Sequence, residues 1–147
     1  MIRSIEGGIL SYVSDIRHED NAYTIGLGRL VNLDKKAHFI GREALRRIHA
    51  DGNHRRLVGV EIDADPIHHN ESFLRVLVND EIVGHISRCA FSPRLERNIG
   101  FANVPAELTE IGSRLVAKTP DGPANAEVVK TPWFPAQKIL PDIRGNV

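Results

Sequence analysis

The stretch FLRVLVNDEIVGHI, Phe73–Ile86, decides the reading of the fold. Two short runs rich in Val, Leu and Ile flank Asn79-Asp80. Such a polar pair between β-prone runs is a hairpin signal, because Asn and Asp tolerate the left-handed backbone that a tight turn needs. The pattern extends in both directions. Upstream, Arg56–Ile62 carries the apolar set Leu57, Val58, Val60 and Ile62. Downstream, Arg97–Val104 and Ser113–Lys118 read as further strands, and Asp121-Gly122 turns into Ala124–Lys130. Six short strands with tight turns and no long helix between them predict a mainly β fold: a small antiparallel, Greek-key-like six-stranded barrel. Closure removes the exposed edges that endanger a small sheet.

Residues 1–54 differ in texture. They are polar and irregular, with one helix expected over Gly41–Ala50, where Ile40, Ala44, Leu45 and Ile48 share a face. Arg3, Ser4 and Glu6 run into Gly7-Gly8, the pattern of a helix end followed by its glycine stop. The expected division is 1–54 and 55–147, with a linker at 51–54.

Composition narrows the function classes. The chain has 147 residues, 19 basic and 19 acidic, for a formal net charge of zero. That balance argues against bulk electrostatic binding to nucleic acid or to anionic membranes, while leaving local basic clusters open. The single Cys89 allows no internal disulfide. No apolar run approaches the roughly 20 residues of a membrane span, and no signal-peptide pattern is visible. A soluble cytoplasmic protein is the default expectation.

Five ordered stretches carry a resemblance: IEGGILSY, GLGRLVNLDKKAHFIGREAL, RRLVGVEI, EIVGHISRCAFSPRLERNIGFANV and GSRLVAKTPDGPANAEVVKTPWF. Together they resemble the C-terminal portion of the glycine-cleavage T-protein (aminomethyltransferase) superfamily. That superfamily includes tetrahydrofolate-dependent demethylases and the folate-binding halves of sarcosine and dimethylglycine oxidoreductases. The IEGG form, in place of the commoner LEAG, is more similar to the demethylase branch. The resemblance implies that residues 1–54 are the tail of a folate-binding α/β region and that residues 55–147 form the C-terminal barrel. It also implies a one-carbon transfer to tetrahydrofolate, assisted by an aspartate that the family carries far upstream. No acidic residue here sits in that motif, so no catalytic residue is assigned and the chain alone is expected to be inactive. The expected partner is the N-terminal folate-binding region, in cis or as a separate chain. Self-association is a second way to cover the surface such a region would occupy.

The resemblance nominates four cofactor-binding residues: Glu6 and Tyr12 in the E-x-G-x-x-x-Y motif, Arg56 at the start of the first barrel strand, and Arg94 in SPRLERNIG. Tyr offers a flat face and a hydroxyl to a pterin ring, and Arg a fork to a carboxylate. Three of the four have a plainer reading: packing for Tyr12, a solvated strand start for Arg56 (shared with Arg55), and a structural salt bridge for Arg94. Ser4 departs from the Arg that many aminomethyltransferases carry there and cannot supply a bidentate cation. Trp133 and Phe134 read as packing against the α/β region. His68-His69, among Asp63, Asp65 and Glu71, fits no standard metal spacing and reads as a polar loop, so no metal is expected. Cys89 reads as a small half-buried residue rather than a nucleophile. Gly26-Leu27-Gly28 lacks the third glycine of a dinucleotide fingerprint. Two alternatives remain: a stand-alone, non-catalytic barrel that binds a partner, and the terminal part of a sarcosine- or dimethylglycine-type oxidoreductase.

Overall fold

The structure is a computed structural model that describes residues 2–52 and 55–134. Six strands form the expected barrel: β1 (Arg55–Asp63), β2 (Leu74–Val78), β3 (Glu81–Ser92), β4 (Arg97–Pro105), β5 (Arg114–Thr119) and β6 (Gly122–Val129). The barrel is closed in the order β1-β4-β3-β2-β5-β6, and every pairing is antiparallel. Strands β2, β3 and β4 follow one another through hairpins. β1 lies beside β4 and reaches β2 by a long connection, which is the Greek-key arrangement. Asn79 and Asp80 both have positive φ, 50° and 65°, as the two-residue hairpin turn requires.

Alternation places Val60, Ile62, Leu74, Val76, Ile86, Ala102, Val104, Leu115, Ala117 and Val128 inside the barrel. Cys89 joins them, fully buried, and burial pushes its thiol up to about 12. It is therefore expected to resist alkylation at pH 8 in the native protein and to react at once in denaturant. Rapid native labelling of Cys89 would contradict its place in the core.

β3 continues six residues past the expected end at Ile86, through a bulge that interrupts its pairing with β4 between Ile86 and Arg88. The extra residue shifts the in-out phase: Ile86 and Cys89 face the core, and Ser87 and Arg88 are both spent on the outer side. A bulge re-aims side chains in this way, and it masks the strand from a period-two search.

A second, smaller core lies outside the barrel. Ile99 and Phe101 of β4 and Ala90 of β3 pack with Ile5, together with Ile2, Leu10, Leu57, Leu95 and Trp133. Ile5 belongs to the short helix α1 (Ile2–Glu6), which is thereby docked on the sheet. Gly7-Gly8 ends α1 as the sequence implied. Gly8 has φ +69°, Ile9 N–H donates to the Ser4 carbonyl (2.8 Å) and Gly8 N–H to the Ile5 carbonyl (2.9 Å). These two bonds are the Schellman pattern.

Helix α2 (Arg42–Asp51) forms where expected, between Gly41 and Gly52, both with positive φ. Its apolar face is not buried: none of its residues is buried, and the preceding Ile40 is fully exposed. Amphipathic periodicity builds the helix, but among the described residues that face is only partly covered: Leu45 and Ile48 are half-buried, and Tyr23 stacks on His49.

Candidate functional site

The segment from α1 to Ile16 is joined to the outer side of β3 by two carboxylates. Each accepts from a serine of β3 and faces an arginine close to that serine in sequence. The first is Glu6, which is 4% exposed. Its Oε1 accepts from Ser92 Oγ at 2.5 Å, and its Oε2 lies 3.8 Å from Arg94 Nη1. The Glu6 carbonyl also accepts from Trp133 N–H at 3.1 Å, tying the segment after β6 to α1. Arg94 stands on the turn between β3 and β4. Its guanidinium lies 3.8 Å above the Phe134 ring, and two thirds of its side chain, 66%, stays open to solvent.

The second carboxylate is Asp15, whose side chain is fully buried. Ser87 Oγ donates to Asp15 Oδ1 at 2.6 Å, and Arg88 Nε donates to Oδ2 at 2.7 Å. Arg88 Nη2 closes the ion pair with Asp15 and also donates to the Ile9 carbonyl at 2.8 Å; Nη1 reaches Ser4 Oγ at 3.2 Å. One guanidinium thus gathers α1, the glycine turn and the loop after it. Adjacent residues of a regular strand face opposite sides, so Ser87 and Arg88 reach one carboxylate only because of the bulge.

Of the four nominated residues, Glu6 and Arg94 come together. Tyr12 lies in the loop held by Arg88, with its side chain largely in solvent at 67% exposure. The next residue, Val13, has φ 78° and is also exposed. A β-branched residue is strained there, so Val13→Gly is expected to stabilise the protein by roughly 0.5–1 kcal/mol, read in urea unfolding. Arg56 does not join the group. It is exposed opposite Val104, whereas the Arg94 turn follows the Ile62–Asn98 pair, six residues and about 20 Å along the strands. Arg55 instead turns onto the outer face of β4. His68 and His69 lie in the loop joining β1 to β2.

Asp15, Ser87 and Arg88 escaped sequence reasoning. The only hint was a short polar run, Ser87-Arg88, inside an otherwise β-like stretch.

A closed Greek-key barrel with an N-terminal segment docked on its outer face by buried carboxylates defines the class. Residues 55–135 match the glycine cleavage T-protein C-terminal barrel domain, and the chain belongs to that family. It is 34% identical over 130 residues to an aminomethyltransferase of Synechococcus sp. (strain CC9902), covering 88% of this chain and 35% of the relative. It is 36% identical over 123 residues to that of Symbiobacterium thermophilum, covering 84% and 32%. The crystal structure of glycine cleavage system aminomethyltransferase T from Bartonella henselae superposes with a TM-score of 0.78 at 18% identity, covering 88% of this chain and 36% of that one. The last likeness establishes shared fold. The chain thus spans about a third of the length of the relatives it matches. No described helix is long and apolar enough to cross a membrane.

Proposed function

We propose that this chain supplies the C-terminal barrel, with its docked entry segment, of a tetrahydrofolate-dependent one-carbon transferase, and that it acts with an N-terminal folate-binding region supplied in cis or by another chain. The observation that carries this reading is the meeting of Glu6 with Arg94 across the segment–barrel junction, in a chain of the T-protein barrel family.

The residues present fit the cofactor in part. Arg94 has an exposed guanidinium whose orientation Phe134 fixes, suited to a ligand carboxylate. Tyr12 offers an open ring face. Glu6 is engaged by Ser92 and shielded, so its role is to hold Arg94 rather than to meet a pterin directly. Bound tetrahydrofolate supplies the nitrogen that accepts the one-carbon unit; this chain's residues bind and orient. Arg56 stands too far from Arg94 to share one small ligand's carboxylate with it.

The test is equilibrium binding of tetrahydrofolate to the protein containing both regions. Arg94→Ala is expected to weaken binding by about tenfold, the worth of one charge-assisted contact, whereas Arg56→Ala leaves it unchanged. Equal affinity of wild type and Arg94→Ala would overturn the assignment of Arg94.

A further inference from the structure

Two basic side chains meet one aromatic ring at the side of the barrel. Arg17 lies 4.7 Å over the Phe73 ring. Phe73 in turn stacks on His85 of β3, with ring centroids 4.9 Å apart and planes 21° apart. Phe73 stands just before β2 and remains 38% exposed. Ile86 is in the core, so its neighbour His85 points outward, beside that ring. The quadrupole of the ring holds the arginine, and a neutral imidazole stacks on it without charge.

The charges facing His85 are mostly of one sign. The loop after Ile16 brings Arg17, with Asp20 as the opposing carboxylate; Glu19 makes only a long contact to Arg17, at 3.9 Å. β1 brings Arg55, whose Nε donates to Asn103 Oδ1 at 2.7 Å and whose Nη2 donates to the Val83 and Asn103 carbonyls, both at 2.9 Å. All three acceptors are neutral. β2 sets Arg75 directly opposite His85, and β4 sets the uncharged Asn103 opposite it on the other side. The imidazole responds to these surroundings: burial, then Arg17 and Arg55, lower its pKa from 6.5 against a smaller opposing effect of Asp20. The cations differ in how firmly they are held. Arg55 is fixed by its three hydrogen bonds, and Arg75 sits on a strand paired on both sides. Arg17 keeps 42% of its side chain in solvent, on a loop between two anchors. Upstream, Asp15 is held by Ser87 and Arg88; downstream, the Thr24 carbonyl accepts from Leu57 N–H at 2.7 Å. Between them the loop bonds to itself, with Arg17 N–H and Thr24 Oγ1 both donating to Asp20.

We propose that His85 is a proton-operated release for this loop: when the imidazole gains a proton, Arg17 leaves the Phe73 ring and residues 17–23 come away from the barrel between their two anchors. A protonated His85 places a second cation on a ring that already holds one, and Arg17 is the one free to move. A cation–π contact on an exposed ring is weak, so one added like charge tips it. The sign follows from the arrangement. The docked loop favours neutral His85, so docking is fully present above the ordinary histidine range. It is lost as the pH falls from 6.5 through the lower value that His85 has in the docked state. Linkage makes the effect reciprocal: the factor by which protonation loosens Arg17 equals the factor by which docked Arg17 lowers the proton affinity of His85.

The experiment is an NMR titration of the full chain from about pH 8 to about pH 5, the range in which histidine changes charge. It follows the His85 and Phe73 rings and the backbone amides of residues 17–23. The Phe73 ring and the loop amides are expected to shift with the midpoint of His85, below the ordinary histidine value. Protonation is expected to weaken the docking of Arg17 about threefold, the scale of an exposed cation–π contact. Arg17→Gln is expected to raise the His85 pKa, and that rise reports the same factor. His85→Gln is expected to hold Phe73 and the loop in their high-pH state down to pH about 5. The loop's own histidine, His18, serves as the control: His18→Gln is expected to leave the transition in place. Should His85→Gln fold poorly, the effect of Arg17→Gln on the His85 pKa decides alone, since it leaves the strand untouched. The proposal is overturned if the loop and Phe73 stay unchanged while His85 titrates, if their transition survives His85→Gln or vanishes in His18→Gln, or if Arg17→Gln fails to raise the His85 pKa.

Discussion

Asp15→Ala is expected to release the N-terminal segment from the barrel, speeding amide exchange in residues 4–16 by about two orders of magnitude. The side chain removed is fully buried and accepts from Ser87 Oγ, Arg88 and the Ser11 N–H. Its loss strands the Arg88 guanidinium, 12% exposed, without a counter-charge. Breaking a buried pair from one side costs about 3–5 kcal/mol, and the residual exposure of Arg88 places this case near 3. The effect should be local. Strands β1, β4 and β6 are joined by their own ladders around a core that Asp15 does not touch. Unchanged exchange in 4–16 would mean that Ile5 and its apolar neighbours dock the segment unaided.

Gly100→Ala is expected to destabilise the whole barrel by roughly 2–3 kcal/mol in urea unfolding. An added Cβ would stand 2.5 Å from the Arg88 carbonyl oxygen and 2.8 Å from Cys89 Cβ. The first contact is with backbone, so no side-chain rotation relieves it. Relief requires moving the bulge of β3, the element that aims Ser87 and Arg88 at Asp15. The substitution therefore couples the core to the docked segment. A loss below about 0.5 kcal/mol, the range of ordinary surface changes, would show that the strands part more easily than their packing implies.

Much of this architecture is legible in the sequence because local chemistry dictates it. Asn79-Asp80 adopts the left-handed turn that its side chains permit, and alternation in β1 sorts Val58, Val60 and Ile62 to one side. Gly7-Gly8 ends α1 for the same kind of reason: glycine pays least for positive φ. What escapes is set by tertiary placement. β3 continues through a bulge that breaks the alternation used to find it. The stripe on α2 is real, yet periodicity carries no information about what covers it. The site divides the same way. Glu6 and Arg94 were nominated by motif, and they meet. Arg56 was nominated too, and strand direction carries it to the other end of β1. Asp15 and Arg88, 73 residues apart, have no sequence pattern that pairs them; only the closed sheet brings them together.

The most direct test of the functional assignment is turnover. The purified chain, given tetrahydrofolate and either an aminomethyl or a methyl donor, is expected to form no methylene- or methyl-tetrahydrofolate, and to contribute to such turnover once joined to an N-terminal folate-binding region. Turnover by the chain alone, or none from the joined protein with any donor of either class, would contradict the assignment.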